Sequence, residues 1–263
     1  MGARRLRSGA LIAVICAALA APASGQTTRG AARADISGYW LISFGPLPPR
    51  REPTALEQSL LAELEPNTLL LADSGLVEFR PGDYGGLRVR SELAAAAAGY
   101  DPDVQRSVAT TCLPPGVIYA MQGPFPIEIF QGTELLVIKM EYYDQVRIVF
   151  MNETEHPDDW PLSALGHTIG RWDGNTLVVD TRFLKSSTLF NNGLDHSDRI
   201  RLLERFRMSE DGATLAITQE FEDPQVFEGR AARIMTLARG EDHVYPYECD
   251  PSYGVAIDAR ERQ

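Results

Sequence analysis

The sequence predicts an all-β, mainly antiparallel fold, either an up-and-down β-barrel or a sandwich, with one or two short N-terminal helices. Three observations carry that expectation. From Cys112 onward the chain is a succession of strand-like runs whose turn signals recur at roughly 8 to 12 residues. Gly166 to Thr181, GHTIGRWDGNTLVVDT, holds two alternating runs around Asp173-Gly174-Asn175, the strongest short-range hairpin signal in the chain. Helical signals are confined to two short stretches before Cys112.

Taken in order, the chain opens with Arg4, Arg5 and Arg7, an apolar run from Ala10 to Ala20, and small residues up to Gly25. That is the pattern of a secretory signal peptide over residues 1–25. The run is shorter than the roughly 20 residues a spanning helix needs. Residues 26–34, small and polar, read as a disordered leader, 35–253 as a single barrel domain and 254–263 as a flexible tail. Asp35 to Phe44 is a strand containing Gly38-Tyr39-Trp40. Thr54-Ala55-Leu56-Glu57 has capping-box spacing, and Leu56, Leu60, Leu61 and Leu64 form a helical stripe ended by Pro66. Ser91 to Ala98 reads as a capped Ala-rich helical turn stopped by Gly99. Strands are then expected at Val117 to Gln122, Ile127 to Gln131, Glu134 to Tyr142 and Val146 to Met151. After the central hairpin they continue at Arg199 to Met208, Ala213 to Phe221, Arg230 to Ala238 and Val244 to Glu248.

Composition narrows the partners. Lys and Arg number 25 against 36 Asp and Glu, for a net charge of −11. Loss of the three leader arginines takes the balance to 22 against 36, or −14. Such a surface repels phosphate backbones and anionic lipid, so nucleic acid is excluded as a partner. Cys16 leaves with the leader, and Cys112 and Cys249 remain as a pair in an oxidising compartment, expected to be periplasmic or extracellular. A disulfide is the economical reading. It closes a loop of about 140 residues, worth on the order of 4 to 5 kcal/mol in the chain-entropy account. A catalytic thiol or a metal-bound pair is the alternative, without a CxxC motif to support it.

Two motifs carry resemblances. The Gly38-x-Trp40 opening resembles the first strand of lipocalin-like barrels. Cys112-Leu-Pro-Pro-Gly116, Pro126-x-Glu128-Ile129, Tyr142 with Gln145-Val-Arg147, and His156-Pro-Asp-Asp159 resemble a family of secreted bacterial proteins. That family's signature G-H-[ST]-I-G-R-W-[DE]-G-[DN]-T-L-V-V-D-T is matched at every position from Gly166 to Thr181. The resemblance runs from about Cys112 to Cys249 and implies an exported β-rich domain. Arg182-Phe183-Leu184-Lys185 departs from the family's Gly-Phe-Asn-type stretch, so a shared substrate does not follow from it.

The chemistry expected is acid–base work without a cofactor. No HExxH, G-x-S-x-G, G-x-G-x-x-G or P-loop motif is present, and no metal site is expected. A two-residue hairpin loop puts His167, Ile169, Arg171, Val178 and Asp180 on one face, which is expected to look into a barrel cavity, whereas a three-residue loop with a bulge would move Asp180 to the opposite face. His167, oriented by Asp180, would then move protons. His196 is the second group, and Arg147 or Arg171 would stabilise an oxyanion. Glu128, Tyr143 and Trp160 complete the expected lining, with Trp160 in a surface loop suited to a lid. The expected ligand is a small apolar or aromatic molecule, and the expected activity that of a lyase, isomerase or hydratase. A periplasmic carrier that transforms nothing is the alternative.

Overall fold

The computed structural model describes residues 2, 33–43, 46, 48–73, 78–101, 112–250 and 252. The chain divides into two units, Met1–Ala32 and Arg33–Gln263. The expected signal peptide apart from residue 2, most of the leader and the tail lie outside the described residues.

The second unit is mostly β. Among the described residues nine strands close into a barrel: β1 (Gly38–Ile42), β4 (Ile127–Gln131), β5 (Leu135–Met140), β6 (Gln145–Phe150), β7 (His167–Asp173), β8 (Thr176–Arg182), β11 (Arg201–Met208), β12 (Thr214–Glu222) and β14 (Ala231–Gly240). The β1–β14 pairing shuts the ring. Two-residue strands β2 (Leu69–Leu70), β3 (Arg88–Val89) and β13 (Phe227–Glu228) and a hairpin of β9 (Ser187–Phe190) with β10 (Leu194–His196) decorate it.

Burial alternates along the strands, as the two-residue period of a pleated sheet requires. Trp40, Leu136, Ile138, Val149, Leu177, Val179, Leu202, Phe206 and Ile217 point inward and are fully buried, whereas Phe130, Leu135, Val146 and Ile148 point outward and are exposed. The lumen is therefore filled by its own side chains. Polar groups share it: Arg147 pairs with Glu204 and donates to Thr181 Oγ1 at 2.8 Å, and Gln219 donates to Glu204 at 2.9 Å.

Directions around a ring of antiparallel strands must alternate, so an odd number forces at least one parallel contact. Here that contact is β6 with β7, a single pair, Phe150 to Ile169. A parallel neighbour needs a crossover that returns the chain along the strand's length. Segment 151–166 makes that return outside the barrel. It is tied by Ser163 N to Phe183 O, Lys185 N to Ser163 O, and Val117 N to Ala164 O.

Three short helices complete the unit. α1 (Ala55–Leu61) carries the expected capping box, with Thr54 N donating to Glu57 at 2.8 Å, and packs Leu60 against Ala216 and Ile234 on the outer wall. α2 (Ser91–Ala98) ends at Gly99, but Ser91 is its first helical residue rather than its cap. α3 (Val117–Ala120) corrects the strand expected there: all four residues are buried, and a continuous apolar run fits a buried helix as well as a strand. Val244 to Glu248 is likewise no strand. Its backbone is held by side chains instead, with Lys139 Nζ donating to Val244 O at 3.0 Å and Tyr247 N to Asp144 at 2.9 Å. Cys112 and Cys249 form a disulfide across 137 positions, with Cα atoms 5.7 Å apart.

Candidate functional site

β7 and β8 form the predicted hairpin with a two-residue loop, Gly174-Asn175, and Asp173 pairs with Thr176. Ile169 stands opposite Asp180 and His167 opposite Arg182, so His167 and Asp180 do share a face. That face is the outer one. Thr168, Gly170 and Trp172 are the residues of β7 turned to the lumen, and the expectation of an inward His167 is corrected accordingly.

His167 is nonetheless only 2 % exposed, because the crossover segment lies over it. Phe150 stacks on its ring at 5.1 Å, and Trp160 covers it edge-on at 4.6 Å. The segment also brings its own acid and base. Glu153 Oε2 is 3.2 Å from His167 Nε2, and His167 Nδ1 is 2.9 Å from His156 Nδ1. His156 Nε2 is 3.5 Å from Asp180 Oδ2, an ionic contact too long for a good hydrogen bond. The carboxylate beside His167 is thus Glu153, and His156 stands between His167 and Asp180.

The Nδ1 to Nδ1 contact needs one hydrogen between the two rings, and His167 Nε2 faces the Glu153 carboxylate. Burial lowers the basicity of His156, against the pull of Asp180 and with help from Arg182 and His167. The imidazoles are enclosed while Glu153 and Asp180 keep 39 % and 34 % of their side-chain surface, so the carboxylates are the two ports.

One cavity opens at Asp180 on the outer wall, and a larger cleft lies beside it. A pocket of about 170 Å³ is lined by Asp180, Arg182, Arg201, Glu220 and Arg230, among others. An open cleft of about 1260 Å³ shares Arg182, Arg201 and Arg230 with it and adds the apolar surfaces of Trp160, Leu162 and Phe183. Phe183 holds a positive φ of 60°, a strained conformation for a non-glycine residue, where the chain leaves β8 to form the cleft wall.

The other predicted residues lie elsewhere. Arg147 is in the lumen, across the sheet from His167, as one half of the buried pair with Glu204. His196 is buried on β10, its Nδ1 2.9 Å from Ser197 O, and burial holds its basicity down. Among the described residues no hydrogen bond, ion pair or ring contact joins it to His156 or His167. Glu128 is on the outer face of β4, beside Tyr39 and Lys139, three strands from β7. Tyr143 sits in a 3₁₀ turn within a cluster of Tyr142 and Tyr247, its phenol pushed up to about 12 by burial. Arg171 points to solvent, 4.0 Å from Asp173. Trp160 lies against the His167 ring. Glu153 was not predicted: a loop acid has no periodicity to assign its partner.

Among the described residues no three His, Cys, Asp or Glu side chains are gathered as metal ligands, and no helix is long and apolar enough to cross a membrane. No family model matches the chain, and no curated protein matches it.

Proposed function

We propose that the protein is an exported, cofactor-independent acid–base enzyme of the lyase, isomerase or hydratase type, acting on a small aromatic or apolar molecule at the barrel's outer wall. Membership of the secreted bacterial family that shares the Gly166 to Thr181 signature is part of the same proposal, and the Cys112–Cys249 disulfide supports export. The single observation that carries the activity is the chain Glu153–His167–His156–Asp180, whose Asp180 end opens into a cavity.

In this reading the substrate lies along Trp160, Leu162 and Phe183 with its reacting carbon at Asp180. The Asp180 carboxylate takes a proton from that carbon, and Arg182, 3.5 Å away, stabilises the anion left behind. The carboxyl then returns the proton at another position, or to a departing hydroxide. His156 holds Asp180 in place, and the pair exchanges its shared proton with solvent through Glu153.

Incubation in D₂O with a panel of aryl ketones, aryl acids and their unsaturated analogues, followed by NMR, tests this directly. At least one member is expected to gain carbon-bound deuterium, and Asp180→Asn and His156→Gln are each expected to slow that gain by about a hundredfold or more. No exchange anywhere in the panel, or exchange indifferent to both substitutions, rejects the enzyme. The enclosure of both imidazoles favours a second reading, a carrier, which saturable binding with unaltered ligand recovery would select.

A further inference from the structure

The outer wall beside Asp180 carries an unusual row of charge. Thr181 pairs with Leu202, so Arg182 and Arg201 are the next two residues to face each other across β8 and β11. Arg201 in turn pairs with Glu222, and Arg230 donates to Glu222 at 2.9 Å. The row therefore reads Arg182, Arg201, Glu222, Arg230, across β8, β11 and β12 to the residue that precedes β14. Like charges directly opposite destabilise a sheet, and their Cβ atoms stand only about 5 Å apart.

The carboxylates present do not relieve that repulsion well. Arg182 finds Asp180 at 3.5 Å and Arg201 finds Glu222 at 3.6 Å, both beyond the range of a good charge-assisted bond, while Arg230 holds Glu222 closely. Arg182 and Arg201 also keep 50 % and 67 % of their side-chain surface. Both line the small pocket and the large cleft. The chain's net charge of −11 gives no general field to attract an anion, so any anion recognition has to be local and geometric.

We propose that Arg182 and Arg201 together seat the carboxylate of an aromatic acid, whose ring lies against Trp160 and Phe183. Planar guanidinium forks match a carboxylate bidentately, and an anion between two of them removes their mutual repulsion. This rests on the acid–base reading for its substrate class and deepens it: the reacting carbon lies within a few bonds of the carboxylate, because Asp180 adjoins Arg182.

Phenylacetate and benzoate, with phenylacetamide and benzamide as neutral counterparts, are the probes, titrated by calorimetry and by tryptophan emission against the full chain. The acids are expected to bind saturably and the amides about tenfold or more weakly. Arg182→Gln and Arg201→Gln are each expected to weaken the acids by about tenfold while leaving the amides unmoved. Trp160→Phe is expected to remove the emission change but not the calorimetric signal of the acids. Equal binding of acid and amide, no saturable binding of either acid, or acid affinity indifferent to Arg201→Gln overturns the seat. Tight arginine-dependent binding without deuterium exchange leaves the seat standing and removes the enzyme. Exchange that persists with acid binding indifferent to both arginines does the reverse.

Discussion

His196 shows what one buried imidazole does when it belongs to no relay. Burial is the largest influence on it and lowers its basicity, with the Ser197 carbonyl, Asp223 and Asp195 acting the other way. The folded state therefore prefers the neutral ring, while the unfolded chain titrates near 6.5. Its contribution to stability is complete above that value and is lost as pH falls below it. Urea unfolding at about pH 7.5 and about pH 5.5 is expected to show a smaller loss of midpoint for His196→Asn, which keeps a donor for Ser197 O, than for the unsubstituted chain. Equal losses would place the ring in solvent. His167 differs only in its neighbours, and those could not be read from its own strand. Hairpin register put it beside Asp180, whereas the partners it bonds, Glu153 and His156, arrive from a loop.

The decisive element is the crossover 151–166, and what lets it work is the tight meeting of β6 and β7. At Gly170 an added Cβ would stand 2.6 Å from Val149 Cγ1 and 2.7 Å from Met151 Sδ, so only glycine lets the two strands approach on the lumen side. Gly170→Ala is expected to cost about 1 to 3 kcal/mol in chemical denaturation, through overpacking. An unchanged midpoint would mean the strands are not in contact there. Gly166, with φ of 64°, turns the crossover into β7 where a Cβ would meet Arg182 O at 2.3 Å. Both glycines stand in the motif GHTIGRW, and the alternation around them made the hairpin legible. Neither reveals that β6 and β7 run parallel, because alternation records which residues share a face and says nothing of a strand's neighbour on its other edge. The strand expected at Val117 to Gln122 failed for the converse reason: α3 is buried on all sides, so no period survives in its sequence.

For the whole molecule, closure comes from two devices, the β1–β14 pairing and the disulfide. With a sequence separation of 137 between its cysteines, the disulfide removes much of the unfolded chain's freedom. Replacing Cys112 and Cys249 together by Ser is expected to lower unfolding free energy by about 2 to 5 kcal/mol, with reductant then having no further effect. Superposable urea curves for the two proteins would refute that. The β class, the cysteine pair, the capping box of α1 and the existence of the central hairpin were all determined by the sequence alone, whereas the shared face of His167 and Asp180 waited on the two-residue loop that the structure shows. Each depends on spacing along one chain, which propensity and period record. Only the tertiary structure decided that this face is the outer wall, that Glu153 and His156 close over it, and that Arg182 meets Arg201. Inside and outside are properties of a closed sheet, and a strand's own pattern is the same whichever way the sheet curls.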